Sequence, residues 1–250
     1  MSHKMLVAFV ILTLSFAGTS FAAPISYGNV NADSVVYQQL FEDSATDPGV
    51  ALYGAPTVSG DALLFTPPSF SAVASAPFTM DATDGTFAGY VNAINNSRIE
   101  EMVFTERGDF TLAGVGGAGT FVQIGATFFV DIIQLDGFDL TVPIEVTQQM
   151  VFDSGPLWNL ADDGGLVVPF SGAVTIDINQ AIIDAGYFGQ ATKVKFSLDN
   201  ALFAMSDGGY AYIKKKDIDG FSIVTTTDIP EPATMSLLAL GGLAMLKRRK

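Results

Sequence analysis

Between Thr120 and Ile132 the chain alternates strictly. Val122, Ile124, Ala126, Phe128, Val130 and Ile132 share one side of an extended backbone, and Phe121, Gln123, Gly125, Thr127, Phe129 and Asp131 share the other. A period of two is the mark of a strand with one face on a core. Asp136-Gly137 breaks the run, and Leu140, Val142, Ile144 and Val146 resume it. The pattern predicts a long hairpin, because Asp-Gly tolerates the positive φ angles that a tight strand connection needs. The same reading predicts strands over 35–41, 62–65, 87–94, 98–106, 109–115, 173–178, 191–198 and 221–226. Asn95-Asn96-Ser97, Arg107-Gly108-Asp109, Asp162-Asp163-Gly164-Gly165 and Asp207-Gly208-Gly209 are read as turns between strands. One helix is expected, capped by Asp177 or Asn179, running through Asp184 and ended by Gly186. Many short strands with no internal repeat and no Pro-rich linker predict an all-β fold: a single two-sheet β-sandwich of jelly-roll type.

The two ends follow neither pattern. His3-Lys4 precede an apolar stretch from Met5 to Phe16, followed by small residues up to Ala22 and Ala23. Those twelve apolar residues fall short of the roughly 20 that a spanning helix needs. The layout predicts a secretory signal peptide over 1–22, cut by signal peptidase between Ala22 and Ala23, with Ser20 and Ala22 as the small side chains at the cut. At the other end Pro230-Glu231-Pro232 is followed by an uncharged stretch from Ala233 to Leu246 and then by Lys247-Arg248-Arg249-Lys250. Without a charge among its fourteen residues, it lacks the polar face of a helix packed on a globule. As a helix it would rise roughly 21 Å, and its basic end belongs on the cytoplasmic side. The expected arrangement is a body outside and a short tail passing through the inner membrane.

The Pro-Glu-Pro triplet, the short apolar segment containing Gly241-Gly242 and the closing Lys-Arg-Arg-Lys resemble the PEP-CTERM sorting signal of exported bacterial proteins. Tails of this kind also carry an ice-binding C-terminal label, which describes the tail alone. The resemblance implies recognition by an exosortase, with Pro230, Glu231 and Pro232 read by the enzyme and Lys247, Arg248, Arg249 and Lys250 retaining the tail. It also implies association with exopolysaccharide and biofilm. The expected division is a signal peptide over 1–22, a sandwich over 23–226, and a linker with sorting signal over 227–250. Localisation at the cell surface or outside the cell, after a transient inner-membrane stage, follows from it.

Composition narrows what the body can do. It keeps seven basic against 25 acidic residues, a formal charge of −18, which disfavours nucleic acid and anionic membrane surfaces. There is no cysteine, and the single histidine, His3, leaves with the signal peptide. Ser-His-Asp and Cys-His catalysis and the usual transition-metal sites therefore cannot be assembled, and a non-enzymatic body is expected. Carboxylate-only hydrolysis needs two acids in reach of one another. Glu100 and Glu101 point to opposite faces of a strand, Glu100 and Glu106 share a face too far apart, and Glu42, Asp43 and Glu145 depend on the fold.

No cofactor is expected beyond a candidate structural calcium ion, a hard cation satisfied by oxygen ligands. Its candidate ligands are Glu42, Asp43 and Asp47 in one loop, Asp162 and Asp163 in another, and Asp217 and Asp219 before Gly220. Carbohydrate binding would use exposed aromatic platforms, for which Trp158, Tyr210 and Tyr212 are the candidates; a lectin-like module is the alternative to an adhesive or structural role. Ice binding would need a repeated flat array of threonines, and Thr225-Thr226-Thr227 is one run that alternates faces. Lys214-Lys215-Lys216 reads as a solvated strand end that protects an edge.

Overall fold

The computed structural model describes residues 22–216 and 221–228. Its strands are β1 (Ile25–Asn31), β2 (Val35–Asp43), β3 (Thr57–Ser59), β4 (Ala62–Leu64), β5 (Ser71–Ala74), β6 (Thr79–Ala93), β7 (Arg98–Gly114) and β8 (Phe121–Leu135). They continue as β9 (Phe138–Gln149), β10 (Val151–Phe152), β11 (Leu157–Asn159), β12 (Gly165–Asp177), β13 (Ala191–Ser206), β14 (Gly209–Lys215) and β15 (Ser222–Asp228). Two short helices, α1 (Leu160–Asp163) and α2 (Ile178–Asp184), flank β12.

All pairings are antiparallel and form two layers. The first runs β1-β2-β6-β13-β8-β9, with β11 on the free stretch of β8. The second centres on β7: β12 covers one edge, while β14 and β15 share the other. β5, β4 and β3, and β10 extend this layer. Ala191 opposite Ile99 joins the layers at one corner, so the sandwich nearly closes into a barrel. The all-β sandwich expected from the pattern is the observed architecture.

The alternation explains the core. Val122, Ile124, Ala126, Phe128, Val130 and Ile132 are all buried, and β13 adds Val194, Phe196, Leu198 and Leu202 beside them. Between the layers lies an aromatic cluster. Tyr53 packs on Phe70, Phe87 and Phe221 with centroids 5.2–5.8 Å apart, and Phe65 meets Phe87 at 4.8 Å. Such pairs add about 0.5–1.5 kcal/mol each beyond area burial.

The turns at Asp136-Gly137 (φ 48° and 84°) and Asn95-Asn96 (55° and 65°) have two successive residues with positive φ, as a two-residue hairpin connection requires. Asp177 caps α2 by accepting a hydrogen bond from the Gln180 backbone N–H at 2.8 Å, and Gly186 follows the helix at φ 77°. Both match expectation.

Four expectations are corrected. Arg107-Gly108-Asp109 is no turn: β7 runs through it. Gly108 is there for close approach, because a Cβ would collide with the Lys214 carbonyl and the Phe170 ring. Asp162-Asp163 form the second helix, α1, which the sequence reading missed; Asn159 caps it by accepting from the Ala161 and Asp162 N–H groups at 3.0 and 3.1 Å. Thr227 and Asp228, expected beyond the strand over 221–226, continue β15 and pair with Ile99 and Arg98 of β7. Lys215 is buried completely rather than solvated.

Candidate functional site

Of the calcium candidates, Glu42 is spoken for. It is 2% exposed, and its carboxylate accepts hydrogen bonds from the backbone N–H groups of Leu52, Tyr53 and Gly54 at 2.8–3.2 Å and from the Tyr27 phenol at 2.8 Å. A carboxylate offers about four lone-pair sites, so Glu42 anchors the following loop and has none left for a metal. Asp43 accepts from the Ser44 N–H and Asp47 from the Thr46 hydroxyl, each closing a local turn. Asp162 and Asp163 bond to Asn159 within the α1 cap. Among the described residues no three acidic side chains gather as a metal site. Asp217 and Asp219 lie outside the described residues.

The aromatic candidates separate. Trp158 is 3% exposed and stacks on Phe110 at 4.8 Å and Phe170 at 5.5 Å, so it is a core residue and not a platform. Its 3.3 Å bond to Ser154 satisfies the indole N–H. Tyr210 and Tyr212 stack on one another at 6.4 Å on the outer face of β14, with Tyr210 exposed. They are brought together as strand spacing predicts.

A site that residue-by-residue reading missed crosses the outer face of the first layer. It is a groove of about 580 Å³ spanning β6, β13 and β8. Its floor is two small residues, Gly125 and Ala201, directly opposite one another. Polar side chains wall it: Asp84 and Thr86 from β6, Asp199 from β13, and Gln123, Thr127 and Gln149 opposite. One step beyond the floor, half-buried Phe121 and Phe203 lie 5.7 Å apart on the same outer face. Carboxylates, amides and two hydroxyls near tilted aromatic rings match the chemistry of sugar hydroxyls and sugar faces.

The groove acids are held in place. Asp84 accepts from the Thr46 N–H at 2.7 Å and the Ala45 N–H at 3.3 Å, which straps the 44–47 loop onto β6. Burial alone would raise its carboxyl; the hydrogen bonds from Thr46, Ala45 and Ser44 outweigh that and hold it below its ordinary value. It is suited to stay an anion, not to deliver a proton. Asp199 accepts from the Thr86 hydroxyl at 2.6 Å. Further along the same face Glu145 sits opposite Asp131, which pairs with Lys195 at 3.3 Å.

Glu100 and Glu106 do not share a face as their spacing suggested. A register irregularity of β7 against β15 falls at Glu100, since Thr226 faces Glu101 and Thr227 faces Ile99, and of the two acids Glu106 alone turns into the core.

Ala22 and Ala23, the expected cut, immediately precede β1, while 1–21 lie outside the described residues. So do Pro230, Glu231, Pro232, Lys247, Arg248, Arg249 and Lys250. No helix among the described residues is long and apolar enough to cross a membrane.

No curated protein matches the sequence. Among solved structures, one of infectious bursal disease virus Gt strain shares 11% identity, with a TM-score of 0.22, covering 86% of this chain and 59% of that one. A VP2 subviral particle of the same virus gives 12%, 0.15, 88% and 57%. The chain thus spans less than two thirds of those proteins, and likeness at these scores carries no argument. The tail is different: the family model of the PEP-CTERM protein-sorting motif matches residues 228–250. The chain therefore carries a PEP-CTERM protein-sorting motif at its end, and that motif implies export and processing by an exosortase.

Proposed function

We propose that the exported body is a non-enzymatic adhesive or structural component of the extracellular matrix at the cell surface, and that it holds exopolysaccharide along the outer face of its first layer. The groove over Gly125 and Ala201, with Asp84, Thr86, Asp199, Gln123, Thr127 and Gln149 around it, is the observation that carries this reading. The formal charge of −18 favours neutral or cation-bridged polymer over polyanions on their own.

The test is co-sedimentation of the purified protein with exopolysaccharide from its host. Gly125→Phe fills the groove, and a Cβ at Gly125 meets open space, so this variant should keep the wild-type thermal midpoint and lose co-sedimentation. Undiminished co-sedimentation would remove the groove from the account.

A second reading, a lectin-like module that takes a discrete oligosaccharide, is favoured by the exposed Tyr210–Tyr212 stack. Saturable calorimetric binding of short oligosaccharides, abolished by Tyr210→Ala, would select it; binding of long polymer alone would select the matrix role.

A further inference from the structure

One cluster of reactive groups lies inside the sandwich, beneath the groove that its Asn200 also borders. Lys215 of β14 and Glu106 of β7 are both fully buried, with Nζ 2.5 Å from Oε2. The lysine amine lies 4.7 Å from the Phe70 ring centre and 5.5 Å from that of Phe221. Asn200 of β13 turns inward from the opposite layer and is 2% exposed. It borders the Glu106 carboxyl and the Tyr53 phenol closely enough to influence both. Its amide atoms approach those two groups without closing a hydrogen bond of good geometry, and Glu106 Oε1 likewise has none.

The chain path explains the meeting. β13 ends at Ser206, the chain turns at Asp207-Gly208, and β14 begins at Gly209 in the other layer. Inward positions then occur at equal distances from the turn: Ser206 with Gly209, Ala204 with Ala211, Leu202 with Ile213, and Asn200 with Lys215. The Ser206 hydroxyl donates to the Gly209 carbonyl at 2.7 Å and closes the narrow end. As the layers diverge, the side chains lengthen.

A buried amide without a well-formed hydrogen bond is costly, and a buried amine on the same Glu106 carboxyl adds to the cost. Amine, carboxamide and carboxyl together are, however, the reactants and acid–base catalyst of an amide exchange. We propose that Lys215 and Asn200 form an intramolecular isopeptide bond, promoted by Glu106, that ties the two layers together.

In the step, the uncharged Lys215 amine attacks Cγ of Asn200 while the Glu106 carboxylic acid donates to Oδ1. Glu106 then relays a proton from Nζ to Nδ2, the Cγ–Nδ2 bond breaks, ammonia leaves, and the Oδ1 proton returns to Glu106 as the carbonyl re-forms. One C–N bond replaces another, with no oxidation or reduction, so no co-reactant is needed. Burial favours the protonation states required. It lowers the amine to about 8, against the opposing pull of Glu106, and it raises the Glu106 carboxyl, against the opposing pull of Lys215. A desolvated lysine amine in an apolar pocket is an activated nucleophile. The product removes a buried charge and leaves Glu106 to bond to the new amide. In an exported chain with no cysteine, such a link takes the place of a disulfide.

The experiment is intact-mass measurement and tryptic mapping of the folded protein from its host. The expected result is a chain lighter by one ammonia, with a branched peptide whose two N-termini are Phe196 and Lys215. Asn200→Ala and Glu106→Ala should have no such branch, and Asn200→Asp should form it with loss of water instead. Wild-type protein with full mass would overturn the proposal in favour of a plain buried ion pair. An ammonia deficit mapping to a succinimide, or outside the 200–215 pair, would overturn it equally.

Discussion

Glu42 holds the loop after β2 through three backbone N–H groups and one phenol. Glu42→Gln puts an amide N–H₂ against donors that want an acceptor, and should cost about 2–3 kcal/mol, since bonds to charged groups contribute about 1.5–3 each and a lost partner strands the rest. Urea unfolding measures it. Asp84 works by charge. Its carboxyl is held below the ordinary value of 3.8, so its stabilisation is complete above that value and disappears as pH falls through the lower folded one. Thermal melts should show Asp84→Asn less stable than wild type at neutral pH, with the gap closing in strong acid. Neither role was legible from residue type. Glu42 looked like a metal ligand because its neighbours are acidic, and its true partners are backbone groups that no side-chain pattern announces.

At the level of strands and helices the alternation over 120–132 carried most of the information. It separated the buried face from Phe121, Gln123, Gly125 and Thr127, of which the last three line the groove. The pattern could not show that Gly125 falls opposite Ala201, because register between strands distant in sequence is set by the fold. The same limit hid the continuity of β7, where Gly108 reads as a turn residue yet serves contact with β14 and Phe170. Gly108→Val should therefore destabilise by about 3 kcal/mol, the upper end for overpacking, because a backbone carbonyl is in the way. Denaturant midpoints check this. Asp177→Ala, which removes the α2 cap, should cost about 1 kcal/mol by the same assay. Short pieces such as β3, β10 and β11 have too few residues to display any period.

For the whole molecule, two properties combine: a strongly acidic sandwich with no histidine or cysteine, and a sorting motif at 228–250. β15 leads straight into that motif. Its last turn of chain is clamped, with the Ser34 hydroxyl 2.6 Å from that of Thr227, and the Tyr37 phenol 2.8 Å from the Thr225 hydroxyl. A cut near the Pro-Glu-Pro triplet would thus free a body already locked at its exit strand. The terminal signals were readable because they are local in sequence, as the groove and the Glu106–Lys215–Asn200 cluster are not. The most direct test is intact-mass and terminal sequencing of the protein recovered from the extracellular matrix of its host. A species beginning at Ala23 and ending near Pro230 is predicted; a matrix or soluble extracellular form that still carries Lys250 would contradict the account.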